Sequence, residues 1–297
     1  MSERTISGKT NPAAMPHASR NPTRAAWRLR GSPAAVIGAA GLALILLSVL
    51  LAPWVAPFDP VTLDYDHLLQ PPGARHWMGT DDLGRDIFSR VLWGGRESLR
   101  VALLGTLISL TFGITLGVIS GYWGGVLDST IQRIAEVFLA FPAILLLLSV
   151  VAALGPGLPS ILAAVAVAMI PVYTRVVRAS VMEIGQRDFV VAAQLVGASH
   201  RRIMLRHVLP NVLPPIMVYA TLGIGGIIVA TAGLSYIGLG AQPPSPEWGA
   251  MLDAGRAYLR TAWWMSLFPG AAIFVTVLCV NLLGDGLREA IDPKARR

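Results

Sequence analysis

Six predominantly apolar runs, each close to the roughly 20 residues that a helix needs to cross about 30 Å of hydrocarbon, constrain this chain more than anything else in it. They fall at residues 36–55, 99–120, 134–154, 161–177, 212–235 and 266–283. The expectation is an all-α polytopic membrane protein of six transmembrane helices. Composition agrees, with 54% hydrophobic and 14% charged residues, against roughly 25% charged in soluble domains. The first run is read as a retained span. It starts beyond residue 30, is too long for a leader, and Pro53-Trp54 makes no small-residue cleavage site.

Net charge is +7, carried almost wholly by arginine, since Lys9 and Lys294 are the only lysines. A basic balance can signal nucleic acid. Here the arginines cluster in the gaps between apolar runs, which fits membrane topology and not a nucleic-acid partner. With the N-terminus inside, cytosolic segments hold seventeen basic residues and external ones seven. That bias favours both termini in the cytosol. The first external loop carries five of those seven. Residues 1–32 read as a disordered cytosolic tail, 33–56 as the first transmembrane helix and 57–97 as an external loop with an interfacial helix. Residues 98–293 then form a core of five more spans, with a cytosolic loop at 178–211. The single cysteine, Cys279, lies in an apolar run, so a disulfide framework and a cysteine metal cluster are both excluded.

The runs are almost free of ionisable groups, and none of the five histidines falls inside one. Proton relays and ion-coupled carriers need such groups at bilayer depth. A membrane-embedded enzyme is disfavoured too: Ser109, Ser149 and Ser235 lie in or near runs without a histidine, lysine or paired aspartate beside them. Gly8-Lys9-Thr10 looks like the end of a phosphate-binding loop, but Glu3 stands where its first glycine belongs. The driving force is therefore expected on another subunit.

Between the fourth and fifth runs lies 189–210, FVVAAQLVGASHRRIMLRHVLP. It reads as helix, glycine break, helix. Ala192, Ala193, Leu195 and Val196 favour a first helix with one apolar face. Gly197 permits positive φ, Ser199 stands as an N-cap, and Pro210 is expected to close the second helix. A polar connection needs no such apolar knob unless something buries it.

The external stretch 76–99, HWMGTDDLGRDIFSRVLWGGRESL, is the second strong signal. Asp81, Asp82 and Asp86 lack the alternating spacing and closing glutamate of a calcium loop. They read instead as a glycine-bounded turn capping a helix that begins near Asp86. That helix would put Ile87, Phe88, Val91 and Leu92 on one side with Trp93 at interfacial depth, lying flat on the membrane. Gly113, Gly117 and Gly121 form a stripe suited to close helix packing, and Pro142, Pro171, Pro215 and Pro269 kink or begin spans.

These motifs together resemble the permease subunits of ATP-binding-cassette importers of the dipeptide/oligopeptide/nickel type. Ala192, Ala193, Gly197, His207, Leu209 and Pro210 fall on the coupling-loop pattern of such permeases, with Val191 in place of its acidic first position. Gly79, Thr80, Asp81, Gly84, Arg85 and Asp86, followed by Ser89-Arg90 and Ser98-Leu99, resemble the external signature of the peptide-type branch. Gly121-Tyr122-x-Gly124-Gly125 with Ala140-Phe141-Pro142, Leu234–Gly240 running to Trp248-Gly249, and Trp263-Trp264 through Pro269 to Arg288 agree with it. The likeness covers about residues 33–293 and is nearest the second permease of the pair.

The resemblance implies a type I importer permease fold in a bacterial or archaeal inner membrane. It implies a second permease, two cytosolic ATPases and a periplasmic or lipid-anchored solute-binding protein as partners, besides membrane lipid. ATP and magnesium would sit on the ATPases, and this chain would carry no catalytic residue, cofactor or metal. Val191, Ala192, Ala193, Gly197, Ala198, Ser199, His207, Leu209 and Pro210 would form the ATPase-coupling loop. Cargo would be di- or oligopeptides, with nickel chelates, glutathione-like peptides and sugars as alternatives within the class.

Overall fold

The computed structural model describes residues 32–291. Apart from Ser32, the tail expected at 1–32 lies outside them. Helix α1 (Pro33–Leu50) opens on Ser32, whose side chain accepts from the Ala35 N–H, with proline in its first turn. Only Ala35, Gly38 and Val49 of α1 are buried. The helix lies at the edge of the bundle, against Cys279–Leu283 of the last helix. A further helical turn, Ala52–Val55, leads into an irregular loop.

Helix α2 (Ile87–Trp123) has 37 residues and measures about 55 Å at 1.5 Å per residue. Sequence separated an interfacial helix near residue 87 from a span beginning at 99, and the structure joins them into one. Gly94-Gly95 looks like a break but serves close approach. A Cβ on Gly94 would lie 2.0 Å from the Pro246 carbonyl oxygen, and one on Gly95 would lie 2.9 Å from the Trp248 ring. The expected flat apolar face is instead packed, with Ile87 and Leu92 buried.

The third run shows the opposite. Helices α3 (Gly125–Leu139) and α4 (Ala143–Leu154) meet at 90° across a short break. Pro142 has no N–H for the ladder and pushes Phe141 away from helical geometry. Among the described residues five helices are thus long and apolar enough to cross a membrane, and the bent α3–α4 pair makes a sixth only if both arms count as one span.

Helix α5 (Leu158–Gly185) lies along α2. The glycine stripe makes that contact, so its neighbour belongs to this chain. A Cβ on Gly113 would lie 2.4 Å from Tyr173 Cβ, one on Gly117 2.5 Å from Val177 Cβ, and one on Gly121 2.9 Å from the Arg178 carbonyl oxygen. Then come α6 (Asp188–Leu195), α7 (His200–Ile203), a π-helical turn (Met204–Val208), α8 (Leu209–Tyr236), α9 (Trp248–Gly255) and α10 (Trp264–Ile291). Among the described residues the extended pairing is limited to one bridge, Thr80 with Asp86.

Pro210 does not close a helix. Helical backbone runs from His200 to Tyr236 straight through it. The π-helical turn ahead of it changes the pairing, with the Leu209 N–H reaching back five residues to the Met204 carbonyl. The Asn211 side chain then donates to the His207 carbonyl at 2.7 Å.

Among the described residues three apolar clusters hold the bundle. The central one joins α2, α4, α5 and α8 through residues such as Ala102, Val151, Ile161 and Ile228. The other two sit at opposite ends of α2 and carry the two candidate sites.

Candidate functional site

At the C-terminal end of α2 an elbow projects from the bundle. Its base is dry: Val190, Ile203 and Val208 are fully buried against Val177 and Val181 of α5, with Val118 of α2 and Val212 and Ile216 of α8. Its tip is not. Leu195 and Val196 are each 83% exposed, and Phe189 and Val191 stand out beside them. A leucine or valine left in water forgoes about 1.5–3 kcal/mol that burial would return.

The bend between base and tip is a Schellman motif. The Gly197 N–H bonds the Gln194 carbonyl at 2.9 Å, and the Ala198 N–H bonds the Ala193 carbonyl at 3.0 Å. Gly197 has φ +76°, and a Cβ there would meet nothing within 4 Å, so backbone conformation and not space selects glycine. Ser199 opens α7, its side chain accepting from the Arg202 N–H.

Of the residues expected in the coupling loop, Val191, Ala192, Gly197 and Ser199 lie exposed on the projecting part. Ala193, Ala198, His207 and Leu209 are half-buried in its base, and Pro210 is exposed in the first turn of α8. The His207 ring lies 6.5 Å from that of Phe189. Arg201, Arg202 and Arg206 are exposed along the second arm.

Two polar contacts at this end had no signature in the sequence. Tyr122, next to last in α2, shares a 2.9 Å hydrogen bond with His200 Nδ1 of the elbow. Arg178, where α5 enters the elbow, grips Asp128 of α3 with two bonds of 2.6 Å. Their partners lie 78 and 50 residues away, beyond any periodic pattern.

At the N-terminal end of α2 a cap covers the bundle. Asp86 N-caps α2, accepting from the N–H and hydroxyl of Ser89, both at 2.8 Å, and from His76 Nδ1 at 2.9 Å. Asp81 accepts from the Leu83 and Arg85 N–H groups and from Arg85 Nε at 2.7 Å. Buried Arg90 donates to the Pro60 carbonyl. Trp264 Nε1 donates to the Thr80 carbonyl at 3.0 Å, and Trp248 Nε1 to the Val91 carbonyl at 2.8 Å. Gly79 and Gly84 take left-handed turns against Gln70 and Asp64.

The residues expected as an external signature, Gly79, Thr80, Asp81, Gly84, Arg85 and Asp86, thus come together in one knot that is almost all buried. Its carboxylates are occupied by arginine, histidine and backbone N–H groups. At the rim, His67 Nδ1 donates to Asp64 at 2.8 Å, and chiefly through that bond the Asp64 carboxyl is held below its ordinary pKa. Sequence missed Glu247. It is buried, caps α9, and takes a 3.0 Å bond from Ser98 of α2.

Comparison with known proteins gives the family. Residues 113–297 match the model of the binding-protein-dependent transport system inner membrane component family. Residues 21–72 match that of the N-terminal TM domain of oligopeptide transport permease C. A probable D,D-dipeptide transport system permease protein (DdpC) of Escherichia coli K12 is 44% identical, over 93% of this chain and 92% of that one. The dipeptide transport system permease protein DppC of Alkalihalophilus pseudofirmus is 43% identical, over 93% and 91%. A glutathione transport system permease protein (GsiD) of Shigella dysenteriae is 44% identical, over 96% and 95%. Among solved structures, an inward-facing MetNI methionine ABC transporter shares the fold, with a TM-score of 0.55 at 20% identity over 69% of this chain and 97% of that one.

Proposed function

Because this chain belongs to the family of binding-protein-dependent transport system inner membrane components, we propose that it walls half of a pathway for small peptides, moved by ATPases that grip its elbow. A second permease supplies the other half. A periplasmic or lipid-anchored binding protein delivers cargo at the cap end, and two cytosolic ATPases supply the work. Di- and oligopeptides are the proposed cargo, glutathione among them, in keeping with the names that the relatives carry. Both termini face the cytosol of a bacterial cell, with α3 and α4 counted as one span. The arginine bias supports that orientation.

One observation carries the reading. The elbow presents Leu195 and Val196, each 83% exposed, on a base held rigid by fully buried Val190, Ile203 and Val208. A rigid arm with a bare apolar tip transmits force only if a groove closes over that tip. A groove of that kind also needs no carboxylate at position 191, where the family pattern is acidic and this chain has valine.

The test is uptake of labelled dipeptide and glutathione into proteoliposomes holding this chain, its cognate second permease and the ATPases, with binding protein supplied. Uptake should require ATP and every partner. Transport by the purified chain alone, or without the ATPases, would overturn the proposal.

A further inference from the structure

Helix α3 is joined to the rest of the bundle differently from its neighbours. At its N-terminus Gly124 and Gly125 both have positive φ, +63° and +61°, and a Cβ on either would meet nothing within 4 Å. The pair sets a backbone turn whose Cβ directions face open space. At its C-terminus the chain turns 90° at Pro142. Between these two corners Ala135 alone in α3 is fully buried. Val126 is 83% exposed, and Ile134 and Val137 are 56% exposed. Beneath α3 lies an apolar cleft of about 200 Å3, lined by Leu116 of α2, Ile131 and Phe138 of α3, and Val167 and Pro171 of α5. Loose packing of this kind forfeits dispersion contacts that a tight helix pair would keep.

What fastens α3 is polar. Arg178 of α5 meets Asp128 in a two-pronged pair, Nε to Oδ1 and Nη2 to Oδ2, both 2.6 Å. Ser120 of α2 donates to the same carboxylate, and Gln132 donates to Ser120 Oγ at 2.9 Å. Among the described residues, every side-chain hydrogen bond from α3 to another element runs through Asp128 or Ser120. Charge-assisted two-pronged pairs are strong and geometrically exacting, so a small shift of either partner breaks both prongs together. Arg178 also sits one turn before Val181, which shares an apolar cluster with buried Val190 of the elbow. Movement of the elbow would therefore reach the guanidinium through this stretch of α5.

We propose that the Asp128–Arg178 pair is a latch, making these two residues positioning residues for transport. It holds α3 against α2 and α5 at rest. Displacement of the elbow opens it, so that α3 swings on the Gly124-Gly125 and Pro142 corners as a panel of the pathway. The inference rests on the elbow being the ATPase contact.

The experiment uses the complete transporter in proteoliposomes and reads three quantities: ATPase co-purification, basal ATP hydrolysis without binding protein, and peptide imported per ATP. Asp128→Asn and Arg178→Gln should retain the ATPases, raise basal hydrolysis at least about threefold, and lower peptide per ATP. The exchange Asp128→Arg with Arg178→Asp should recover much of the loss. Wild-type basal hydrolysis and coupling in both single variants would overturn the latch, as would an exchange no better than they are. If the single variants fail to insert, Asp128→Cys with Arg178→Cys in a Cys279→Ala background decides. A reducible thiol crosslinker bridging the pair should stop uptake, and reduction should return it to the level of the uncrosslinked variant. Unchanged uptake with the bridge in place would overturn the latch. Failure of the wild-type chain to retain ATPase would instead remove the elbow reading, and the latch with it.

Discussion

Gly197 and Asp86 show what single positions do at the two ends of the molecule. At Gly197 the φ of +76° costs a non-glycine residue about 1–2 kcal/mol, and more for a β-branched one. Gly197→Val should leave the chain in the membrane at normal abundance and abolish uptake, because the tip no longer turns back onto its base. Gly197→Asn, which tolerates the left-handed region, should keep most uptake. Wild-type uptake by the valine variant would contradict this assignment. Asp86→Ala removes the N-cap of α2, worth about 0.5–2 kcal/mol, and strands the Nδ1 of His76, which is only 3% exposed. Its melting temperature in detergent should fall by several degrees while ATPase co-purification persists; an unchanged melting temperature would count against the cap. Both residues were legible in the sequence because turns and caps are local chemistry. Tyr122 with His200, and Asp128 with Arg178, were not, because only the folded bundle brings them together.

Helices were legible in kind and less so in extent. Apolar runs announced most of the long helices, since hydrocarbon demands a continuous internal ladder. Their ends depended on tertiary contacts. Gly94-Gly95 did not end α2, because a loop and a tryptophan ring fill the space the missing side chains leave. Pro142 did break the third run, whereas Pro171, Pro214, Pro215 and Pro269 lie within helices. The glycine stripe gives the element-scale test. Gly117→Ala places a Cβ 2.5 Å from Val177 Cβ and should cost about 1–3 kcal/mol through overpacking, read as a lower melting temperature. Gly233→Ala, within α8 where a Cβ meets nothing within 4 Å, is the matched control and should be neutral or slightly stabilising. Equal effects would mean that α2 and α5 are not held by that close contact.

As a whole the molecule has two unlike ends. A helix of about 55 Å runs from a buried polar knot at the cap to a projecting apolar elbow, and its central stretch is packed against α5. Family motifs made the class legible before any coordinates. What they left open was which residues stand exposed at the tip, since exposure depends on how the base folds. Replacing Leu195 and Val196 with aspartate together should release the ATPases while sparing insertion, because the groove would have to bury two carboxylates. The most direct measurement is crosslinking from a cysteine placed at Val196, in a Cys279→Ala background, in the assembled transporter. A product with the ATPase subunit that changes in yield when ATP is trapped is the expected result. A cysteine there that labels only from the external side, or never reaches the ATPase, would contradict the claim that this elbow is where the work of ATP enters.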